Sequence, residues 1–125
     1  MATPEGKVKA KVKRLLNKYH VYFHCPMQNG FGAPSLDFIG CHVGHFFAIE
    51  TKAAGKKPTD RQRITMGEMA RCGGKIFVID GTGKTCTYAE LEAWILATGD
   101  LVYGDYEEDE SSSIAQTPDD SITVD

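Results

Sequence analysis

No apolar stretch in this sequence approaches membrane-spanning length, and its N-terminus lacks the apolar core of a signal peptide. Both absences lead to the expectation of a soluble, intracellular, cytoplasmic chain. There is no CxxC pair. The four cysteines, Cys25, Cys41, Cys72 and Cys86, are scattered, which suits reduced thiols and not a disulfide framework. No internal repeat is present. Residues 104–125 contain no Lys or Arg but eight acids, including Glu107–Glu110, and read as an acidic, disordered tail. The overall net charge of −3 therefore hides an asymmetry: residues 1–103 carry 14 basic against 9 acidic side chains, a body of +5. With 125 residues, 42% of them hydrophobic, the chain is long enough for one domain with a real core, assigned to 1–103.

What is present has a readable order. Thr3-Pro4 is a helix start, and Val8, Val12, Leu15, Leu16 and Tyr19 form one stripe of a helix running to about His20. At 100° per residue Glu5 falls inside that stripe, while Lys7, Lys11, Arg14 and Lys18 face away. Strands are expected at 21–27, 36–42 and 45–52, the last two joined by a hairpin turn at Val43-Gly44. Thr59-Asp-Arg-Gln62 is a capping box opening a helix that ends at Gly73-Gly74. Residues 75–80 form a short apolar strand reached by that helical crossover. Thr87-Tyr-Ala-Glu90 is a second capping box, opening a helix through about Thr98. The order is α-β-β-β-α-β-α, a small mixed sheet flanked by helices.

One strand carries the chemistry. In FFAIETK (46–52), alternation turns Glu50 and Lys52 to one face and Phe47, Ile49 and Thr51 to the other. A hairpin centred on residues 43–44 places Asp37 opposite Glu50. Two carboxylates and a lysine then share one face of adjacent strands. Acids this close resist ionising together, and a cation holds them. Hard oxygen ligands suit Mg²⁺ or Mn²⁺, and the lysine is placed to stabilise charge on a phosphate. A solvated Glu50–Lys52 surface pair, worth about 0–1 kcal/mol, leaves the alignment of Asp37 unexplained.

GFGAPSLDFIG, then FFAIETK, then a loop and DRQ, resembles the PD-(D/E)XK nucleases and among them the VRR-NUC family, over roughly residues 3–80. The resemblance implies a restriction-endonuclease-like core. It also implies that Asp37, Glu50 and the Thr51 backbone carbonyl are metal ligands, that Lys52 is the catalytic lysine, and that Gln62 and Glu5 line the site. Bland roles compete for the last two: Gln62 as the closing member of its capping box, Glu5 as a partner of the helix dipole. Leu36 departs from the family's usual proline.

These readings converge on a metal-dependent endonuclease acting on DNA phosphodiesters. Lys7, Lys11, Arg14, Lys18, Lys56, Lys57, Arg61 and Arg63 are expected to grip the backbone. No base-reading module is evident, which favours branched DNA. The resemblance implies a homodimer that cuts Holliday junctions, and the compact lone domain suits a phage acting in the host cytoplasm. The alternative is a non-catalytic DNA-binding protein on the same scaffold. DGTGKT (80–85) fails as a phosphate-binding loop because Val78 stands where a glycine is required, so no nucleotide cofactor is expected. His24, Cys25, Cys41, His42 and His45 match no standard zinc spacing, and Cys25 and Cys41 fit equally well as small buried residues.

Overall fold

The computed structural model describes residues 3–27, 34–82 and 87–106. Residues 28–33, most of the GTGKT run and residues 107–125 of the acidic tail expected to be disordered lie outside the described residues; residues 104–106 of that tail are helical. Three helices and four strands follow the expected order: α1 (Pro4–Lys18), β1 (Tyr22–His24), β2 (Phe38–His42), β3 (His45–Thr51), α2 (Asp60–Arg71), β4 (Lys75–Ile79) and α3 (Tyr88–Tyr106). The sheet order is β1-β2-β3-β4, antiparallel except for the parallel β3–β4 pair. The fold is therefore mixed α/β. Among the described residues no helix is long and apolar enough to cross a membrane.

Local chemistry explains the element boundaries. The Thr3 hydroxyl caps α1 by accepting from Gly6 N–H at 3.0 Å, and Pro4 supplies a first helical residue whose missing N–H costs nothing there. At the far end His20 adopts φ 56°, letting His20 N–H reach the Asn17 carbonyl and Val21 N–H the Leu16 carbonyl. That is a Schellman ending, with Val21 and Leu16 both buried in the core as its hydrophobic clasp. Val43 and Gly44, at φ 51° and 83°, form the two-residue turn between β2 and β3. The turn fixes the register Phe38↔Ile49 through His42↔His45.

That register sorts the side chains onto two faces. Phe38, Phe47, Ile49, Phe77 and Ile79 pack against Val8, Val12 and Leu16 of α1 and Leu91 and Ile95 of α3, forming the core. α2 crosses from β3 to β4 over the other face, the one to which Glu50 points.

Several boundaries differ from the sequence reading, among them the start of β2, at Phe38 instead of Leu36. β1 spans three residues instead of seven: Pro26 has no N–H to give to a ladder, and the pairing with β2 stops at His24. α3 runs to Tyr106 instead of about Thr98, because Gly99 is absorbed in the helix at a cost of about 1 kcal/mol and does not cap it. The division expected at 103/104 consequently falls within α3. Cys25 and Cys41 are exposed instead of buried, since neither points into the core.

Candidate active site

β3 delivers Glu50 and Lys52 on the face opposite the core, as period-2 alternation requires. Glu50 is only 1% exposed. Its Oε2 accepts from Gln62 Nε2 at 2.6 Å and lies 3.6 Å from Lys52 Nζ. Its Oε1 is buried with no hydrogen-bond partner among the described residues. Burial raises the Glu50 pKa from 4.5 to about 7, the charge of Asp37 adds to the rise, and Lys52 opposes it.

Asp37 stands one residue before β2, opposite Glu50 by the hairpin register, and directly follows the fully buried Leu36. Its Oδ2 accepts from Thr51 N–H at 2.9 Å and from the Thr51 hydroxyl at 2.7 Å. Its Oδ1 is 3.5 Å from Lys9 Nζ. The two carboxylates thus differ in kind. Asp37 is anchored by two donors from Thr51, whereas Glu50 is desolvated and half-satisfied.

Gln62 closes the capping box of α2 and also reaches Glu50. Its Oε1 accepts from Thr59 N–H at 2.9 Å, and its own N–H donates to the Thr59 hydroxyl at 3.2 Å, completing the capping box of α2. Because the backbone N–H can only donate, Oε1 must face it. The amide nitrogen is left pointing to Glu50.

The arrangement fits a hard divalent cation. The buried oxygen without a partner is costly unless something neutralises it, and two carboxylates from adjacent strands supply hard oxygen donors. Among the described residues no group of three or more His, Cys, Asp and Glu converges, so a cation here also needs carbonyl and water oxygens, as Mg²⁺ ordinarily keeps. Glu5 is half-buried in the first turn of α1 and is not drawn into such a group. Among the described residues no group that could hold zinc comes together: buried His42 bonds through Nε2 to the Ile95 carbonyl at 3.0 Å, and Cys41 is exposed.

The cations expected to grip DNA lie at the surface, some of them against a neighbour. Lys7, Arg14, Lys56, Lys57 and Arg61 are exposed. Lys11 lies 4.3 Å from the centre of the Tyr88 ring, Lys18 is 3.4 Å from Glu92 Oε2, and Arg63 is 3.0 Å from Asp60. Lys9 was missed by the sequence reading. The signal was its place one turn after Glu5, on the edge of α1 already suspected of facing the site.

Comparison of the chain with family models, curated proteins and solved structures found no match.

Proposed function

We propose that this chain is a metal-dependent DNA endonuclease of the PD-(D/E)XK type, related to the VRR-NUC family, with a restriction-endonuclease-like core. One observation carries the reading: Asp37 and a buried, half-satisfied Glu50 meet on adjacent strands with Lys52 alongside. Asp37, Glu50 and the Thr51 carbonyl would hold Mg²⁺ or Mn²⁺, which when bound contributes Lewis-acid stabilisation of charge on the phosphate.

The chain's own groups supply the rest. The Thr51 N–H and hydroxyl fix the Asp37 carboxylate, and the Gln62 amide fixes that of Glu50. Lys52 donates to a non-bridging phosphate oxygen or orients the attacking water. The water oxygen forms the new bond to phosphorus as the bond to the leaving oxygen breaks. Lys7, Lys11, Arg14, Lys18, Lys56, Lys57, Arg61 and Arg63 draw in the backbone without reading bases, which suits branched DNA such as four-way junctions. A two-fold homodimer would supply a second site for the opposite strand.

A second reading has its own observation. Lys9 and Lys52 already lie 3.5 and 3.6 Å from the two carboxylates, as in a cation-free structural cluster. It makes the chain a DNA-binding protein without catalysis. The two separate on a panel of single-stranded, duplex, flap and four-way DNAs with Mg²⁺ or Mn²⁺. The nuclease reading expects cleavage that EDTA stops and that Lys52→Ala lowers on the order of 100-fold while binding persists. Binding that survives EDTA, with no cleavage of any DNA in either metal, would establish the second.

A further inference from the structure

We propose that the cleft beside α1 is the seat of a single unpaired DNA strand, leading one phosphate to Asp37; the substrate named here rests on the nuclease reading. The cleft measures about 640 Å³ and is lined by Lys9, Lys13, Arg14 and Asn17 of α1, with Pro26 and Asp37 completing its wall. That volume is typical of a pocket for a small molecule. It has room for a nucleotide or two of one strand.

Its chemistry suits a phosphodiester backbone. Lys13 and Arg14 have no acidic partner among the described residues, so their charges are available to a ligand. Lys9 and Lys13 are one helical turn apart, about 6 Å along the axis, comparable with the step between successive phosphates of an extended strand. Gly6 and Ala10, which also line the cleft, keep its floor low enough for a chain to approach the helix. Pro26 offers an apolar surface to a sugar or base and no hydrogen-bond donor of its own.

Lys9 joins this cleft to the site. It lines the cleft and also lies 3.5 Å from Asp37 Oδ1. A phosphate drawn to Lys9 is thereby brought beside the carboxylate pair, with the rest of the strand running on towards Lys13 and Arg14. Among branched DNAs, one with an unpaired arm presents such a strand directly.

The test is fluorescence anisotropy with a labelled oligothymidylate and a blunt duplex of equal length, in EDTA, over a range of salt. The Lys13→Ala/Arg14→Ala double variant should lose affinity for the oligonucleotide at least about 10-fold, with its salt slope reduced by about 1.4, or about 0.7 per lost phosphate contact. Duplex binding should fall by less, through the general backbone contact of Arg14 and not that of Lys13. Ala10→Glu, which sets a carboxylate on the floor, should weaken the single strand similarly, and Lys75→Ala, outside the cleft, should leave both ligands as they were. Unchanged oligonucleotide binding in the double variant, or equal losses for both DNAs, overturns the assignment of the cleft. Because no metal is present, the result is independent of cleavage. Cleavage with unaltered oligonucleotide binding sinks the cleft alone, and lost binding with no cleavage in any metal sinks the nuclease reading alone.

Discussion

At the start of α2, Thr59 and Gln62 exchange backbone hydrogen bonds of 2.9 and 3.2 Å; at the start of α3, Thr87 and Glu90 do the same at 3.2 and 3.0 Å. As helix starts the two boxes are equivalent. They differ in what the last residue has left over. A glutamate that caps with one oxygen retains only another acceptor, whereas a glutamine retains two N–H donors. At α2 one of them goes to Glu50 Oε2 at 2.6 Å. The choice between Gln and Glu, immaterial to the helix, decides whether its first turn can steady a neighbouring carboxylate.

Exchanging the two residues tests this most severely. Gln62→Glu should keep α2 capped, as Glu90 caps α3, but replaces the donor with a third acid beside Asp37 and Glu50. Cleavage in Mg²⁺ is expected to fall on the order of 100-fold with circular dichroism unchanged. Glu90→Gln should leave cleavage within about 2-fold and stability within about 0.5 kcal/mol. Parental activity in Gln62→Glu would make the boxes interchangeable and remove the amide from the mechanism.

The acidity of Glu50 provides the next measurement. With its pKa raised from 4.5 to about 7, the folded chain holds a proton at intermediate pH that the unfolded chain has released. The contribution of Glu50 to stability is then complete below about pH 4.5 and is lost as pH rises through about 7. Urea midpoints at pH 5 and 7.5 should show a pH-linked loss on the order of 1–3 kcal/mol in the parent that is absent in Glu50→Gln. Mg²⁺ or Mn²⁺ should offset the loss above pH 7, because only the ionised carboxylate is a good ligand. The same slope in Glu50→Gln would assign the proton elsewhere.

The smallest effects belong to the caps themselves. Thr59→Ala and Thr87→Ala should each lower stability by about 1 kcal/mol in thermal or urea unfolding. Only Thr59→Ala should also slow cleavage, by loosening the residue that holds Glu50. Equal cleavage by the two variants would mean that the α2 box does not reach the site.

Much of this was legible before any coordinates. Period-2 alternation settles the opposite facing of Glu50 and Ile49, and a two-residue turn at Val43-Gly44 sets the register that puts Asp37, just before β2, opposite Glu50. Both capping boxes are local patterns that tertiary structure had no reason to override. What escaped was tertiary. A helical wheel separates charged from apolar residues but does not say that Lys9, alone among its neighbours, lies within reach of Asp37. The Thr51 hydroxyl had no visible task until Asp37 folded onto it. The helix expected to end near Thr98 continues to Tyr106 with Gly99 inside it, at a cost of about 1 kcal/mol that does not end it. Glu5 shared the buried stripe on the wheel, yet no cluster of acids forms around it among the described residues.

A single amide side chain tethers the beginning of α2 to the floor of the site. Helix ends unravel first on warming, and here the first turn to loosen would carry the steadying hand of Glu50 away with it. Heat should therefore silence the protein several degrees before the sheet gives way, and whatever ligand stiffens the segment from Lys56 to Arg63 should restore both together.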